Sequence, residues 1–192
     1  MCELFGLSCN EKDRATITLP KFSVRGAWCP HGWGIAHYDG TRAIVEREPR
    51  PASRSPNFLA AVQSAKSNII IAHVRFKIRG GQCIENCHPF TQSFENRDWV
   101  FAHNGCVDGI ERHARSEGTT DSEQVFNFIL DSMREYQARN ELNGTYPGIK
   151  DAVKKIFTRF GRDIHLNFLM SDGSLLYAFH HYEGTPDRKS VV

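Results

Sequence analysis

A cysteine directly follows the initiator methionine, at position 2. Removal of Met1 would leave Cys2 as the chain terminus, with a thiol and a free α-amine on one residue. An α-amine has an ordinary pKa of roughly 7.7 to 8.0, so part of it is unprotonated near neutral pH and could take the thiol's proton. One residue could then act as nucleophile and base. The alternative is that Cys2 is a small apolar residue beginning the strand that Leu4 and Phe5 indicate.

Cysteine and histidine also lie close together in the stretch CIENCH, at residues 83–88. Thiolate and imidazole groups are the usual ligands of a structural zinc ion, and Cys29 and His31 could complete such a site. The spacing of Cys83 and Cys87 differs from the CxxC of zinc fingers and ribbons, so we favour loop cysteines and no metal. A zinc-stabilised module stays an alternative. Nothing marks export, so we expect the six cysteines to be reduced.

The composition is that of an ordinary soluble globular protein. Its 192 residues are 40% hydrophobic and 24% charged, which is enough for one sizeable core. A net charge of +2 is too small to favour nucleic acid or an anionic membrane as a partner. No apolar run approaches the ~20 residues of a membrane span, and residues 10–14 are too polar for a signal peptide. We therefore expect a single-domain cytoplasmic protein that binds neither nucleic acid nor membrane.

Short apolar stretches predict seven β-strands. In chain order they cover residues 4–9, 33–38, 42–46, 69–74, 98–102, 165–170 and 175–180. Turn residues join two pairs of them into hairpins, at Asp39-Gly40 and Asp172-Gly173. The strands at 69–74 and 98–102 are almost continuously apolar, which is typical of strands covered on both faces.

Two helices are indicated by their start signals. Ser55-Pro56 provides a cap and a first helical residue for a short helix. The apolar face of this helix would consist of Phe58, Leu59, Val62 and Ala65. Thr120 and Glu123 fit a capping box, and apolar residues continue from there at helical spacing to Tyr136.

A further long helix is predicted over residues 149–160, where apolar residues again repeat at helical spacing. Turns at Asn143-Gly144 and Pro147-Gly148 would separate it from the helix before it. The order of strands and helices suits sheets stacked on each other and covered by helices.

Six short motifs resemble those of the class II glutamine amidotransferases. They are MCELFG at residues 1–6, HGWGIAHY at 31–38, IAHVRF at 71–76, ENCHPF at 85–90, FAHNG at 101–105 and TDSE at 120–123. Each motif is weak alone, but six in the expected order are specific. The resemblance runs from Cys2 to about Asp172, and the small stand-alone amidotransferases are the most similar subgroup.

The resemblance implies an α+β fold, the αββα four-layer sandwich of the N-terminal nucleophile hydrolases. It also implies that residues 1–192 form a single glutamine amidotransferase domain without a cofactor or metal. Relatives generally continue past the hairpin that ends near His181, so we expect a shortened C-terminal edge.

The resemblance assigns a role to five residues. Cys2 matches the nucleophile that attacks the side-chain amide of glutamine, forms a γ-glutamyl thioester and releases ammonia. The side chain of Asn104 and the backbone N–H of Gly105 match the oxyanion hole of that reaction. Arg75 matches the arginine that binds the substrate α-carboxylate, and Asp121 matches the acid that holds its α-ammonium.

Each of these residues also has a structural interpretation. Arg75 could form a surface ion pair, and Asn104-Gly105 could be a turn after a strand. Asp121 could be an acidic residue in the first turn of a helix, where it interacts favourably with the helix dipole. Four other motif residues are expected to have structural roles behind the site. They are Trp33, His73, His88 and His103.

The expected function is that of an N-terminal cysteine amidohydrolase acting on glutamine or another γ-glutamyl small molecule. No synthase domain to receive ammonia is recognisable in the sequence, so a separate ammonia-accepting subunit is a candidate partner. The alternative from another class is a catalytically silent binding or regulatory subunit with the same fold.

Overall fold

Two four-stranded antiparallel sheets form the centre of the computed structural model, which describes residues 1–139 and 144–181. The strands are β1 (Glu3–Asp13), β2 (Trp33–Asp39), β3 (Arg42–Glu48), β4 (Ser67–Val74), β5 (Phe90–Phe94), β6 (Arg97–Cys106), β7 (His165–Ser171) and β8 (Leu176–His181). The first sheet has the order β1-β4-β2-β3 and the second has the order β5-β6-β7-β8. The seven predicted strands are confirmed. The sequence did not predict β5, because the three residues between Phe90 and Phe94 are polar and no apolar alternation results.

Helices cover the outer face of each sheet. They are α1 (Thr18–Ser23), α2 (Pro56–Ser64), α3 (Asp121–Arg139) and α4 (Thr145–Phe160). Leu19 of α1 and Phe58 of α2 pack on the first sheet, and Phe126 of α3 and Ile156 of α4 belong to the core against the second sheet. A third cluster, which includes Ile71 and Ala102, fills the space between the sheets. The expected αββα sandwich is confirmed, because each layer buries an apolar face against the next.

The predicted helix starts are confirmed with two differences. Ser55 accepts a hydrogen bond from the backbone N–H of Phe58 at 3.2 Å, as an N-cap does. Leu59 is 53% exposed, so it does not belong to the apolar face of α2. Thr120 accepts from the N–H of Glu123 at 3.3 Å, but the Glu123 carboxylate accepts from Glu117 and Gly118 instead of closing the capping box.

The predicted turn at Pro147-Gly148 is wrong, because both residues lie in the first turn of α4. Proline is tolerated there since the first N–H groups of a helix have no intrahelical partner. Gly148 lets α4 approach α3 closely, because a Cβ at this position would come within 3.3 Å of the Met133 side chain. Asn143 of the other predicted turn lies outside the described residues.

The expected shortened C-terminal edge concerns the region beyond β8, and residues 182–192 lie outside the described part of the chain. Within the described part, no helix is both long and apolar enough to cross a membrane.

Candidate active site

Cys2 and Arg75 lie at the same end of the first sheet. Cys2 directly precedes β1 and Arg75 directly follows β4. These strands are antiparallel neighbours in which Glu3 pairs with Val74. The next residue outward is therefore Cys2 before β1 and Arg75 after β4. The strand pairing therefore places the sequence-predicted nucleophile beside the sequence-predicted carboxylate ligand.

The half-buried Cys2 thiol contacts the backbone of Phe76. Its Sγ accepts a hydrogen bond from the Phe76 N–H at 3.2 Å and lies 3.4 Å from the Phe76 carbonyl oxygen. Burial raises the pKa of the Cys2 thiol, and the Phe76 hydrogen bond, the terminal ammonium and Arg75 offset part of that rise. A thiol with a raised pKa is mostly protonated at neutral pH, so its attack on an amide requires a base.

Arg75 is 3% exposed, and its side chain is hydrogen-bonded to the segment that follows it. Its Nη1 donates to the carbonyl of Gly81 at 2.9 Å and its Nη2 donates to the carbonyl of Arg79 at 2.8 Å. The interpretation as a surface ion pair is therefore wrong. A guanidinium has five N–H donors, and two of them are used by these carbonyls within the described part of the chain.

Asn104 and Gly105 are part of β6, opposite Asn167 and Leu166 of β7. The interpretation as a turn after a strand is wrong, because strand pairing continues through both residues. The Asn104 carbonyl accepts from the Asn167 side chain at 2.9 Å. Within residues 1–139 and 144–181, no hydrogen bond uses the Asn104 side-chain amide, so it can donate to a ligand. A Cβ at Gly105 would lie 1.8 Å from the carbonyl oxygen of His165, so only glycine fits.

Asp121 begins α3 next to the end of β6. Its Oδ2 accepts a hydrogen bond from the N–H of Val107 at 2.8 Å, and its place in the first helical turn also suits the helix dipole. Asp121 lines a cavity of about 180 Å³ with Thr119 and Arg79. Arg79 follows β4 and forms an ion pair with Asp108, which follows β6, so this cavity lies where the two strand ends meet.

Three buried histidines join the two halves of the site. His73 precedes Arg75 by two residues and its ring lies 4.1 Å from that of His88. His88 Nδ1 accepts from the backbone N–H of His103 at 3.4 Å, and His103 precedes Asn104. The expected structural roles of these histidines agree with this contact chain, which links the end of β4 to the end of β6.

The three histidines are neutral in the folded chain. Burial, with Arg75 and His103 nearby, lowers the pKa of His73 to about 3. Burial also lowers the pKa of His88 well below its ordinary value. It lowers that of His103 as well, although Asp121 opposes the shift.

We expect the free energy of unfolding to fall steeply in acid because of these histidines. A group whose folded pKa is depressed is fully stabilising above its unfolded pKa of about 6.5, and this stability is lost as the pH falls toward the folded pKa. Between these two pKa values, each of the three histidines lowers the free energy of unfolding by about 1.4 kcal/mol for each pH unit of acidification. Urea unfolding between pH 7 and pH 4 measures the slope.

His73→Gln should flatten this pH dependence, because it removes one titrating group. The control is His180→Asn, at an exposed histidine of β8, which should leave the slope unchanged. An equal slope in the His73 variant and the parent chain would contradict the assignment.

A larger cavity lies away from these residues. It measures about 740 Å³ and is bordered by α3, α4 and the segment before α3, with charged residues such as Lys154, Arg159 and Glu135 in its wall. Its volume exceeds that of the cavity at Asp121, but none of the five sequence-predicted site residues lines it. We therefore place the candidate site at the strand ends.

The candidate zinc ligands are engaged in other contacts. Cys29 donates to the carbonyl of Met1 at 3.0 Å, His31 Nδ1 accepts from the N–H of Lys77 at 3.0 Å, and Cys87 donates to the Cys83 carbonyl at 3.4 Å. Among the described residues, no group of three or more Cys, His, Asp or Glu side chains could hold a metal ion. All six cysteines are free.

Sequence reasoning missed three contributors to the site. The backbone of Phe76 contacts the Cys2 sulfur, Arg79 lines the cavity at Asp121, and Cys29 contacts Met1. A backbone contact leaves no mark in residue type, and an arginine in a polar loop has no distinguishing pattern. The only available signal for Cys29 was its residue type, which suggested a loop cysteine or, as the alternative, a zinc ligand.

The comparisons with known proteins agree with this geometry. The family model of class II glutamine amidotransferases matches residues 1–185 of the 192. The chain belongs to this family. Membership supports a glutamine amidotransferase function, and thus an enzyme.

Individual relatives extend beyond this chain. It is 33% identical to "Putative glutamine amidotransferase YafJ" of Escherichia coli, over 93% of this chain and 72% of that protein. It is also 33% identical to "Uncharacterized protein MJ1515" of Methanocaldococcus jannaschii, over 96% of this chain and 52% of that protein. The crystal structure of a "predicted glutamine amidotransferase" from Pseudomonas aeruginosa is similar, with a TM-score of 0.64 and 27% identity over 93% of this chain and 72% of that one.

Proposed function

We propose that this class II amidotransferase is an N-terminal cysteine γ-glutamyl amidohydrolase, and that residues 1–192 act as one domain. The observation that supports it best is the position of Cys2, whose sulfur accepts a hydrogen bond from Phe76 N–H beside Arg75 at the sheet end. A sulfur at this point can attack an amide carbon held over the strand ends.

The base would be the α-amine of Cys2 after Met1 is removed. The raised thiol pKa calls for a nearby base, and the free amine is attached to the same residue. Met1 is 86% exposed, which supports access of a processing enzyme to it. The amine would take the thiol proton as sulfur bonds to the side-chain carbonyl carbon, and would pass that proton to the leaving nitrogen.

The oxyanion of this step would be held by Asn104 and Gly105. The Asn104 side-chain amide, which bonds no other group within the described residues, supports this role. Collapse of the tetrahedral intermediate breaks the C–N bond, releases ammonia or an amine, and leaves the γ-glutamyl thioester. Water then hydrolyses the thioester to glutamate and restores the Cys2 thiol.

Arg75 and Asp121 would bind the α-carboxylate and α-ammonium of the γ-glutamyl half. The Arg75 guanidinium, with donors beyond those bonded to Arg79 and Gly81 within the described residues, and the Asp121 carboxylate that lines a cavity suit a zwitterion. The group on the other side of the scissile amide is not fixed by this pair. Glutamine and other γ-glutamyl amides are therefore the proposed substrates, and a separate subunit that accepts ammonia is the proposed partner.

Removal of either member of the pair, by Arg75→Ala or Asp121→Ala, is expected to lower kcat/KM by roughly ten- to a hundredfold, because hydrogen bonds to charged groups are lost. Steady-state kinetics with glutamine measure the loss.

A glutamine analogue without the α-carboxylate is the control for Arg75. The parent enzyme should reject it, but Arg75→Ala should reduce its turnover little further, since that contact is already missing. Equal sensitivity of both substrates to Arg75→Ala would return Arg75 to a structural role.

Ammonia or amine release from glutamine and a panel of γ-glutamyl compounds tests the proposed function. Turnover of at least one compound that disappears in Cys2→Ala is the expected result. A chain that has lost Met1 yet turns over none of them would favour the silent binding or regulatory subunit. One observation favours this second candidate. Arg75 donates hydrogen bonds to the backbone carbonyls of Arg79 and Gly81, as a residue with a structural role would.

A further inference from the structure

Cys29 is the side chain that contacts the peptide group removed when Met1 is cleaved. Its Sγ donates a hydrogen bond to the Met1 carbonyl oxygen at 3.0 Å, and the residue is 2% exposed. Cleavage of the Met1–Cys2 bond removes this acceptor and creates the α-amine at the same place. The sulfur then faces the new amine, and its lone pairs can accept one of the amine N–H groups.

The new amine would form within reach of this sulfur. The Met1 oxygen and the Cys2 nitrogen are bonded to one carbon, by bonds of about 1.23 and 1.33 Å, so they lie roughly 2.3 Å apart. The Cys29 sulfur is therefore within about 5.3 Å of the Cys2 nitrogen before cleavage, which a small shift of the freed terminus can close.

The backbone around Cys29 is held in place, so its sulfur is a fixed reference point. The Cys29 N–H donates to the carbonyl of Arg25 at 3.0 Å. Two residues later, His31 N–H donates to the Arg75 carbonyl at 3.0 Å, and Arg75 N–H donates to the Gly32 carbonyl at 2.7 Å. The segment that contains Cys29 is thus tied to the strand end beside Cys2.

We propose that Cys29 is a positioning residue that orients the terminal amine of mature Cys2. Its sulfur accepts one amine N–H, which turns the amine lone pair toward the Cys2 thiol. The idea rests on the proposed function, since only a catalytic amine needs this orientation. Burial raises the pKa of Cys29 to about 11, so it stays a neutral thiol and does not compete as a nucleophile.

The test compares Cys29→Ala, Cys29→Ser and the control Cys9→Ala as purified chains shown by intact mass to lack Met1. Cys9 is a half-buried cysteine of β1 that bonds the carbonyl of Asn68, away from the terminus. Kinetics from pH 5 to pH 9, on the best substrate of the γ-glutamyl panel, give kcat, KM and the acidic limb of the profile of kcat against pH. Thermal unfolding checks that each variant is folded.

Cys29→Ala should lower kcat by roughly two- to tenfold, the value of one ordinary hydrogen bond, with KM unchanged. Its acidic limb should move to lower pH, because an acceptor that stabilises the ammonium is gone. Cys29→Ser should restore both kcat and the acidic limb, since a hydroxyl oxygen also accepts a hydrogen bond. Cys9→Ala should match the parent in both.

Two results would overturn the role of Cys29. One is a Cys29→Ala enzyme with the kcat and pH profile of the parent, and the other is a folded Cys29→Ser enzyme that is no better than Cys29→Ala. Both leave the proposed function intact, because the parent is active in each. A parent without Met1 and without activity on any substrate would refute the proposed function, and the role of Cys29 with it.

Discussion

Cys2→Ala is expected to abolish turnover, with a loss on the order of 10⁴-fold or more, while the fold is unchanged. The sulfur is the protein atom that bonds to the substrate in the proposed mechanism, and the oxyanion donors alone cannot form a thioester. Alanine keeps the α-amine and the backbone that leads into β1, so pairing of Glu3 with Val74 should persist. Ammonia or amine release measures the loss.

Cys9→Ala is the matched control, because Cys9 is also a half-buried cysteine of the same strand region. It should keep parental activity. Mass spectrometry of the parent after rapid acid quenching should show the γ-glutamyl adduct on the peptide that contains Cys2. A Cys2→Ala chain that keeps a tenth of parental turnover would rule out Cys2 as the nucleophile.

Asn104→Ala has the second largest expected effect, a fall in kcat of roughly a hundred- to a thousandfold. Its side-chain amide would donate only once charge develops on the substrate oxygen, so substrate binding should change little. Asn104→Asp should be similarly impaired, because a carboxylate places an acceptor and a negative charge where a donor is needed.

The control for Asn104 is Asn167→Ala, which removes the neighbouring amide that donates to the Asn104 carbonyl at 2.9 Å. This change should have a much smaller effect on kcat, since the Asn167 amide is not aimed at the substrate in the proposed mechanism. An effect of Asn104→Ala confined to KM would exclude it from the oxyanion hole.

Local patterns predicted most of the fold. The continuous apolar runs at 69–74 and 98–102 indicated strands covered on both faces, and β4 and β6 both contribute buried residues to the core between the sheets. The short helix α1 was missed, because among its six residues Leu19 alone is buried. The αββα layering came from the resemblance of six motifs, since strand order within a sheet depends on contacts far apart in the chain.

The motifs named the candidate site residues but could not show their contacts. The motifs supplied Cys2, Arg75 and Asp121 in chain order. They could not show that Arg75 donates to loop carbonyls, nor that Asn104 stays within a strand, because both depend on the path of the chain after a strand. Cys29 lies 27 residues from Cys2, and only the fold brings it to Met1.

The central claim is that the free amine of Cys2 is the catalytic base. Two samples of the same chain test it most directly: one with Met1 removed, and one produced while methionine aminopeptidase is inhibited. Intact mass defines each sample, and release of ammonia or amine from the best γ-glutamyl substrate gives kcat. We expect turnover only in the chain without Met1. Equal turnover by a chain shown to retain Met1 would contradict the claim.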